Sequence, residues 1–252
     1  MTTTITAAAT RTATTARTPT GDGAAAVLEL MRVMQFGDSV LPVGAFTFSG
    51  GLESAVQQGV VRDVDTLREF VRTAVRQAAT GDAIAVIHAH RAGAAGDLGR
   101  VVAIDRAVLL RKLNEEVRTM TTRMGRKLAE LAEHVTPGPV VAGWLAAIKS
   151  GASPGTYPVG QALVFAGQGL TERDAFAAHQ YGVASMLVGA AVRLMRIDHR
   201  DAQTVLFDAN SSSAADFEES AAADLDDMAT FAPVAEILAG VHVRSHVRMF
   251  MS

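Results

Sequence analysis

No cysteine occurs in the 252 residues of this chain. That excludes disulfides, zinc-thiolate sites and thiol nucleophiles, and it suits a reducing compartment. Aromatic residues are scarce at 5% while apolar residues reach 49%, and the mean hydropathy is +0.21. A core made mainly of Ala, Leu, Val and Met favours close-packed helices over an all-β fold. Charge of one sign is also lacking. A net charge of −3 and an isoelectric point near 6.2 leave no electrostatic footprint for nucleic acid. The longest apolar run, Gly182 to Val192, is about half of the ~20 residues that a membrane-spanning helix needs. Missing too are a GxxxxGK[ST] phosphate loop, a GxGxxG turn after a strand, HExxH and GxSxG. The chain is therefore not expected to bind GTP through a P-loop, and no reacting constellation marks it as an enzyme.

What is present is helical periodicity. Residues 1–23 are dominated by Thr and Ala and are expected to form a disordered extension. Val27, Leu28, Met31 and Met34 then recur at helical spacing. After Asp63 or Asp65 as N-cap, Leu67, Phe70, Val71, Ala74, Val75 and Ala78 repeat the pattern until Gly81. Asp82 to His90 reads as a short buried helix, and Asp97 to Val135 as one long helical stretch. Thr136-Pro137-Gly138-Pro139 stops it. Short apolar helices follow at Val140–Lys149 and Pro158–Gly167. Thr171, with Asp174 three residues on, opens the longest helix, which ends near Arg196. Gly182, Ser185 and Gly189 put small residues on its neighbouring turns, which suits a central or dimer-forming helix. Between Asp201 and Val243 lie nine acids and no Lys or Arg, a composition typical of a solvated face. The whole reads as all-α: a single-domain helical bundle over residues 24–240, with a tail at 241–252.

Two segments carry most of the functional signal. The run Leu41 to Val56 (LPVGAFTFSGGLESAV) places Pro42, Gly44, Gly50 and Gly51 where neither helix nor strand requires them, so it is a shaped loop. Phe46 and Phe48 stand two apart and would share a face of an extended backbone, as presented side chains or as core anchors. Glu53 either supports a helix start after Gly51 or presents its charge. At the other end, Arg244, Arg248, Met249, Phe250 and Met251 combine cations with adaptable apolar side chains. Such a tail is ordered by a partner or docks on its own domain. His242 and His246 are i, i+4. If helical, they form a candidate transient metal pair, for which imidazole suits an ion such as Ni²⁺; the alternative is a solvated or partner-facing tail. His88 and His90 would diverge on a helix.

The string Leu41 to Glu53 resembles the signature of the UreF family of urease accessory proteins, L-P-x-G-[AG]-[FY]-[ST]-x-S-x-G-[LM]-E. Further resemblance lies in Arg118 to Leu131 (RTMTTRMGRKLAEL), Tyr157 to Ala166, Ala184 to Leu194 (ASMLVGAAVRL) and His242 to Ser252 (HVRSHVRMFMS). Two residues depart from the pattern: Tyr157, where the family usually has His, and Met251, where it often has Arg. The resemblance implies an all-helical, non-catalytic, cytoplasmic scaffold that forms a homodimer. It would join the accessory protein UreD (also called UreH) and the GTPase UreG to apo-urease for GTP-dependent nickel insertion. No cofactor would be tightly bound; nickel would pass through the complex. Phe46, Phe48, Glu53, Arg248 and Phe250 would be the partner contacts, and Arg193 matches a family position. The rival readings are a histidine-based metal-binding enzyme, which would need several histidines in one pocket, and a generic helical interaction module.

Overall fold

The computed structural model describes residues 21–38, 40–229, 232–242 and 249–250. Among these the chain is all-α, with no β-strand. Twelve helices run in order: α1 (Gly21–Gly37), α2 (Leu52–Gln57), α3 (Val64–Thr80), α4 (Asp82–Ala94), α5 (Leu98–Leu110), α6 (Glu115–Val135), α7 (Pro139–Lys149), α8 (Tyr157–Gly167), α9 (Glu172–Met195), α10 (His199–Ala209), α11 (Ser213–Ala222) and α12 (Pro233–His242). The Thr/Ala-rich extension lies outside the described residues except at its end, where α1 already begins at Gly21.

Local chemistry sets most boundaries. Asp63 and Thr66 form a capping box at α3, and Thr171 and Asp174 another at α9, each satisfying backbone N–H groups that the first helical turn leaves without partners. The single long helix expected from Asp97 to Val135 is in fact two. It breaks at Arg111 to Asn114, where the Asn114 side chain accepts from Glu116 N at 2.8 Å and caps a new helix. The apolar period runs through the break, which hides it in the sequence.

α4 is buried on nearly all sides and packs against α8, α5 and α9. α9 is long and apolar enough to cross a bilayer by composition, but 56% of its most apolar window is buried inside this chain, against α3, α4, α8 and α10. It is the central helix of the bundle, with core on both sides. One apolar cluster joins Val86, Ile104, Leu128, Trp144, Leu163 and Phe165; a second joins Leu52, Leu67, Val71, Leu187, Val205 and Phe250; a third, smaller one joins Ala83, Ile87, Phe176 and Phe217.

Asp105, wholly buried on α5, holds three elements together. Its carboxylate accepts from Trp144 Nε1 on α7 at 3.1 Å, from Ser153 Oγ at 2.5 Å, and from Gly155 N, Thr156 N and Thr156 Oγ1 at 2.8, 2.8 and 2.6 Å. The loop from Ser153 to Thr156 is thereby fixed ahead of α8 and tucked against Gly125 of α6.

α1 departs from the usual logic of an amphipathic helix. Val27, Leu28, Leu30, Met31 and Met34 are all more than half exposed, and among its described side chains only Phe36, at its carboxyl end, is buried. Helical spacing of apolar residues predicted the helix but not the direction of its face.

Candidate functional site

The loop after α1 is shaped by its glycines. Gly44 takes φ 98°, opening a 3₁₀ turn over Ala45–Thr47 that Thr47 Oγ1 closes by donating to Gly44 O at 2.8 Å. Because this turn replaces the extended backbone expected across Phe46 to Phe48, spacing alone does not put those two residues on one face. Phe48 lies in the core at 7% exposure; the Phe46 side chain lies outside what the structure describes. Gly50 and Gly51 both have positive φ. A Cβ at Gly50 would sit 3.1 Å from Leu187 Cδ2, so the loop passes directly over α9 before α2 begins.

That passage places Glu53 in the first turn of α2. It is 3% exposed, and its carboxylate oxygens accept from the backbone N–H groups of Met249 at 2.7 Å and Phe250 at 3.0 Å. Phe250 is itself buried, with the Arg193 guanidinium carbon 4.1 Å from its ring centroid. Burial holds the Arg193 guanidinium below its ordinary pKa. The structure thus joins Glu53, Arg193 and Phe250, three residues far apart in sequence, in one seam. In this arrangement Phe48, Glu53 and Phe250 face their own chain. Arg248 and His246 lie outside the described residues, and of His242 only the backbone, at the end of α12, is described.

Beside α9 lies a cavity of about 240 Å³, lined among others by Val43, Asp82, Tyr157, Gln161, His179 and Met186. Burial pushes the Tyr157 hydroxyl up to about 12. Lys112 Nζ meets both Asp82 carboxylate oxygens, at 2.7 and 2.6 Å. Burial pushes the Asp82 carboxyl up, but the charge of Lys112, joined by His179 once acid protonates that ring, outweighs it and holds the group below its usual value. For His179 burial wins: its pKa falls to about 4, so the ring is neutral at pH 7. Sequence reasoning missed this group, since no residue pattern ties α4, the α5–α6 junction and α9 together.

A pH dependence follows. A histidine depressed from 6.5 to about 4 contributes stability that is present above pH 6.5 and is lost as pH falls toward 4, because the unfolded chain then binds the extra proton. Lowering pH from 7 to 5 is expected to remove about 2 kcal/mol from this group. Urea denaturation at the two pH values, in the parent and in His179→Gln, checks it: the variant should lose that part of the dependence.

The other described histidines do not converge. His88 Nε2 is bonded to Ala223 O, His90 Nε2 to Leu170 O, and His199 lies beside Asp198. Among the described residues, no group of three or more His, Asp or Glu side chains is placed to hold a metal ion.

The comparisons with known proteins point one way. The family model for UreF matches residues 61–210. "Urease accessory protein UreF 2" of Brucella canis is 54% identical over 223 residues, covering 88% of this chain and 92% of that protein. "Urease accessory protein UreF 1" of Brucella melitensis is likewise 54% identical over 223 residues, with the same coverage of each chain, 88% and 92%. "Urease accessory protein UreF" of Yersinia enterocolitica is 52% identical over 222 residues, covering 88% of this chain and 97% of that protein. With more than half of its length matched by the family model and more than half of its aligned residues shared with these relatives, the chain belongs to the UreF family.

Proposed function

We propose that this protein is a non-catalytic scaffold for urease maturation. In this reading it acts in the cytoplasm as a homodimer, joining the UreD/UreH accessory protein and the GTPase UreG to apo-urease for GTP-dependent nickel insertion. The observation that carries the reading is 54% identity, across 88% of the chain, to a protein named as a urease accessory protein. Nickel is cargo here rather than a resident cofactor.

Two surface features support an assembly role. α1 presents a run of exposed apolar side chains from Val27 to Met34, a face that a partner could bury. On α9, a Cβ added at Gly182 or Gly189 would meet nothing within 4 Å. The close backbone approach expected at those small residues is therefore not made within the chain, which leaves room for a second one. The scattered placement of the described histidines gives the metal-binding-enzyme alternative no support.

Co-purification of the full chain with its cognate UreD and UreG tests the proposal. A stable complex is expected, and failure to associate with either would overturn it. Arg248→Ala then separates two modes of action at the GTPase. Unchanged UreG binding with lost stimulation of GTP hydrolysis identifies an activating arginine, whereas lost binding identifies a recruiting contact.

A further inference from the structure

The cavity of about 240 Å³ beside α9 is walled mainly by apolar side chains, Val43, Met120, Met124, Val183 and Met186 among them. It reaches the surface at Asp38 and Val40, both exposed. Walls of this kind favour an apolar guest over water. A dry cavity of about 150 Å³ accepts one benzene ring, so this one has room for a ring with a short substituent. Three of the wall residues are methionines, whose flexible thioethers adapt to a guest and make favourable contacts with aromatic rings.

Polar groups without partners are set among those walls. The backbone N–H of Tyr157 donates to Thr121 Oγ1 at 3.2 Å, but its hydroxyl makes no hydrogen bond among the described residues. The ring is enclosed deeply enough to push that hydroxyl up to about 12, yet it keeps accessible surface, as a group facing a cavity does. Gln161 and His179, both buried, line the same cavity, and Gln161 Oε1 and His179 Nε2 have no partner among the described residues. Those two atoms lie just behind the cavity surface, so a guest reaches them after a small rotation of each side chain. Buried polar groups are nearly always paired, and three unpaired ones on the walls of one cavity call for a guest that pairs with them.

None of these groups asks for a charged guest. Burial keeps the His179 ring neutral at pH 7. The Asp82 carboxylate is already answered by Lys112 Nζ, at 2.7 and 2.6 Å. Asp38 and Arg193, the other charged residues on the lining, are exposed to solvent.

We infer that this cavity is a binding site for a small neutral aromatic molecule carrying a primary carboxamide. The ring lies among Met120, Met124 and Met186. The carbonyl oxygen accepts from the Tyr157 hydroxyl, and the amide N–H donates to the Gln161 side chain, whose own amide offers both a donor and an acceptor. The inference goes beyond the urease reading and does not rest on it.

The probe is benzamide, titrated into the full-length chain with isotope-labelled methionine methyl groups and followed by NMR. Saturable shifts are expected at Met120, Met124 and Met186, with a Kd at or below about 1 mM. Met31 and Met34, exposed on α1, should not move. Benzoate, of the same shape but negatively charged, should bind at least tenfold more weakly, since its carboxylate would be buried with no free cation. Tyr157→Phe removes only the hydroxyl and should weaken benzamide binding about three- to tenfold. Its thermal midpoint should not fall, because that hydroxyl holds nothing within the chain.

Shifts confined to Met31 and Met34, no saturation, or equal affinity for benzoate and benzamide would each overturn the proposal. So would unchanged benzamide affinity in Tyr157→Phe, or a lowered midpoint that showed the hydroxyl to be paired inside the fold. The benzoate comparison is made on the parent chain and stands whatever the variant does.

Discussion

Replacing Asp105 by Ala is expected to cost about 3–5 kcal/mol, because it leaves several buried donors without an acceptor at once. The carboxylate accepts five hydrogen bonds from Trp144, Ser153, Gly155 and Thr156, and none of these donors has water to turn to at this depth. Each buried donor left without an acceptor costs about 1–3 kcal/mol, and at Gly155 and Thr156 the donors are backbone groups that cannot rotate away. Against a total stability of about 5–15 kcal/mol for a folded domain, this loss is large enough to leave a substantial unfolded fraction. The readout is built in: Trp144 is the single tryptophan and its indole N–H is one of the donors. Urea unfolding followed by its fluorescence should show a lowered midpoint with an unchanged slope. Ser153→Ala, which deletes one donor and leaves the acceptor with four, should cost only about 1 kcal/mol. Equal midpoints for the parent and Asp105→Ala would show that the loop is held by something else.

Gly125→Ala should be the second large effect, at about 3 kcal/mol, the upper part of the range for overpacking. A Cβ there would fall inside the carbonyl oxygen of Gly155 and lie 2.6 Å from the carbonyl carbon of Thr156. Those atoms belong to backbone already pinned by Asp105, so the clash has no flexible side chain to absorb it. In an isolated helix the same substitution would stabilise by about 1 kcal/mol through propensity alone. The sign of the measured change therefore separates local preference from tertiary packing, and a thermal melt of the variant decides it. Combining Gly125→Ala with Asp105→Ala should cost less than the sum of the two, since the freed loop can then retreat from α6.

The helices were legible where termination chemistry coincided with periodicity. Asp63 and Gly81 bracket α3, Thr171 with Asp174 opens α9, and Pro137 to Pro139 separates α6 from α7. The break between α5 and α6 was not legible, because Asn114 reads as a cap only once its side chain is seen to accept from Glu116 N. The candidate site divides in the same way. Glu53 and Phe250 stand out as residue types in unusual local strings, yet their pairing across 197 positions has no local signature. The Asp82–Lys112–His179 group was not legible at all: a lone buried histidine looks like any other until a carboxylate and an ammonium arrive from two other elements.

The sequence by itself determined that this protein is helical, where most of its helices begin and end, and which family it resembles. Those properties rest on spacings within a few residues and on strings that survive as strings. Tertiary structure alone decided which way α1 turns its apolar side chains, that Asp105 anchors the loop before α8, and that the chain end is clasped by Glu53. Each of these depends on which surfaces meet, and burial is a property of the assembled core rather than of any segment within it.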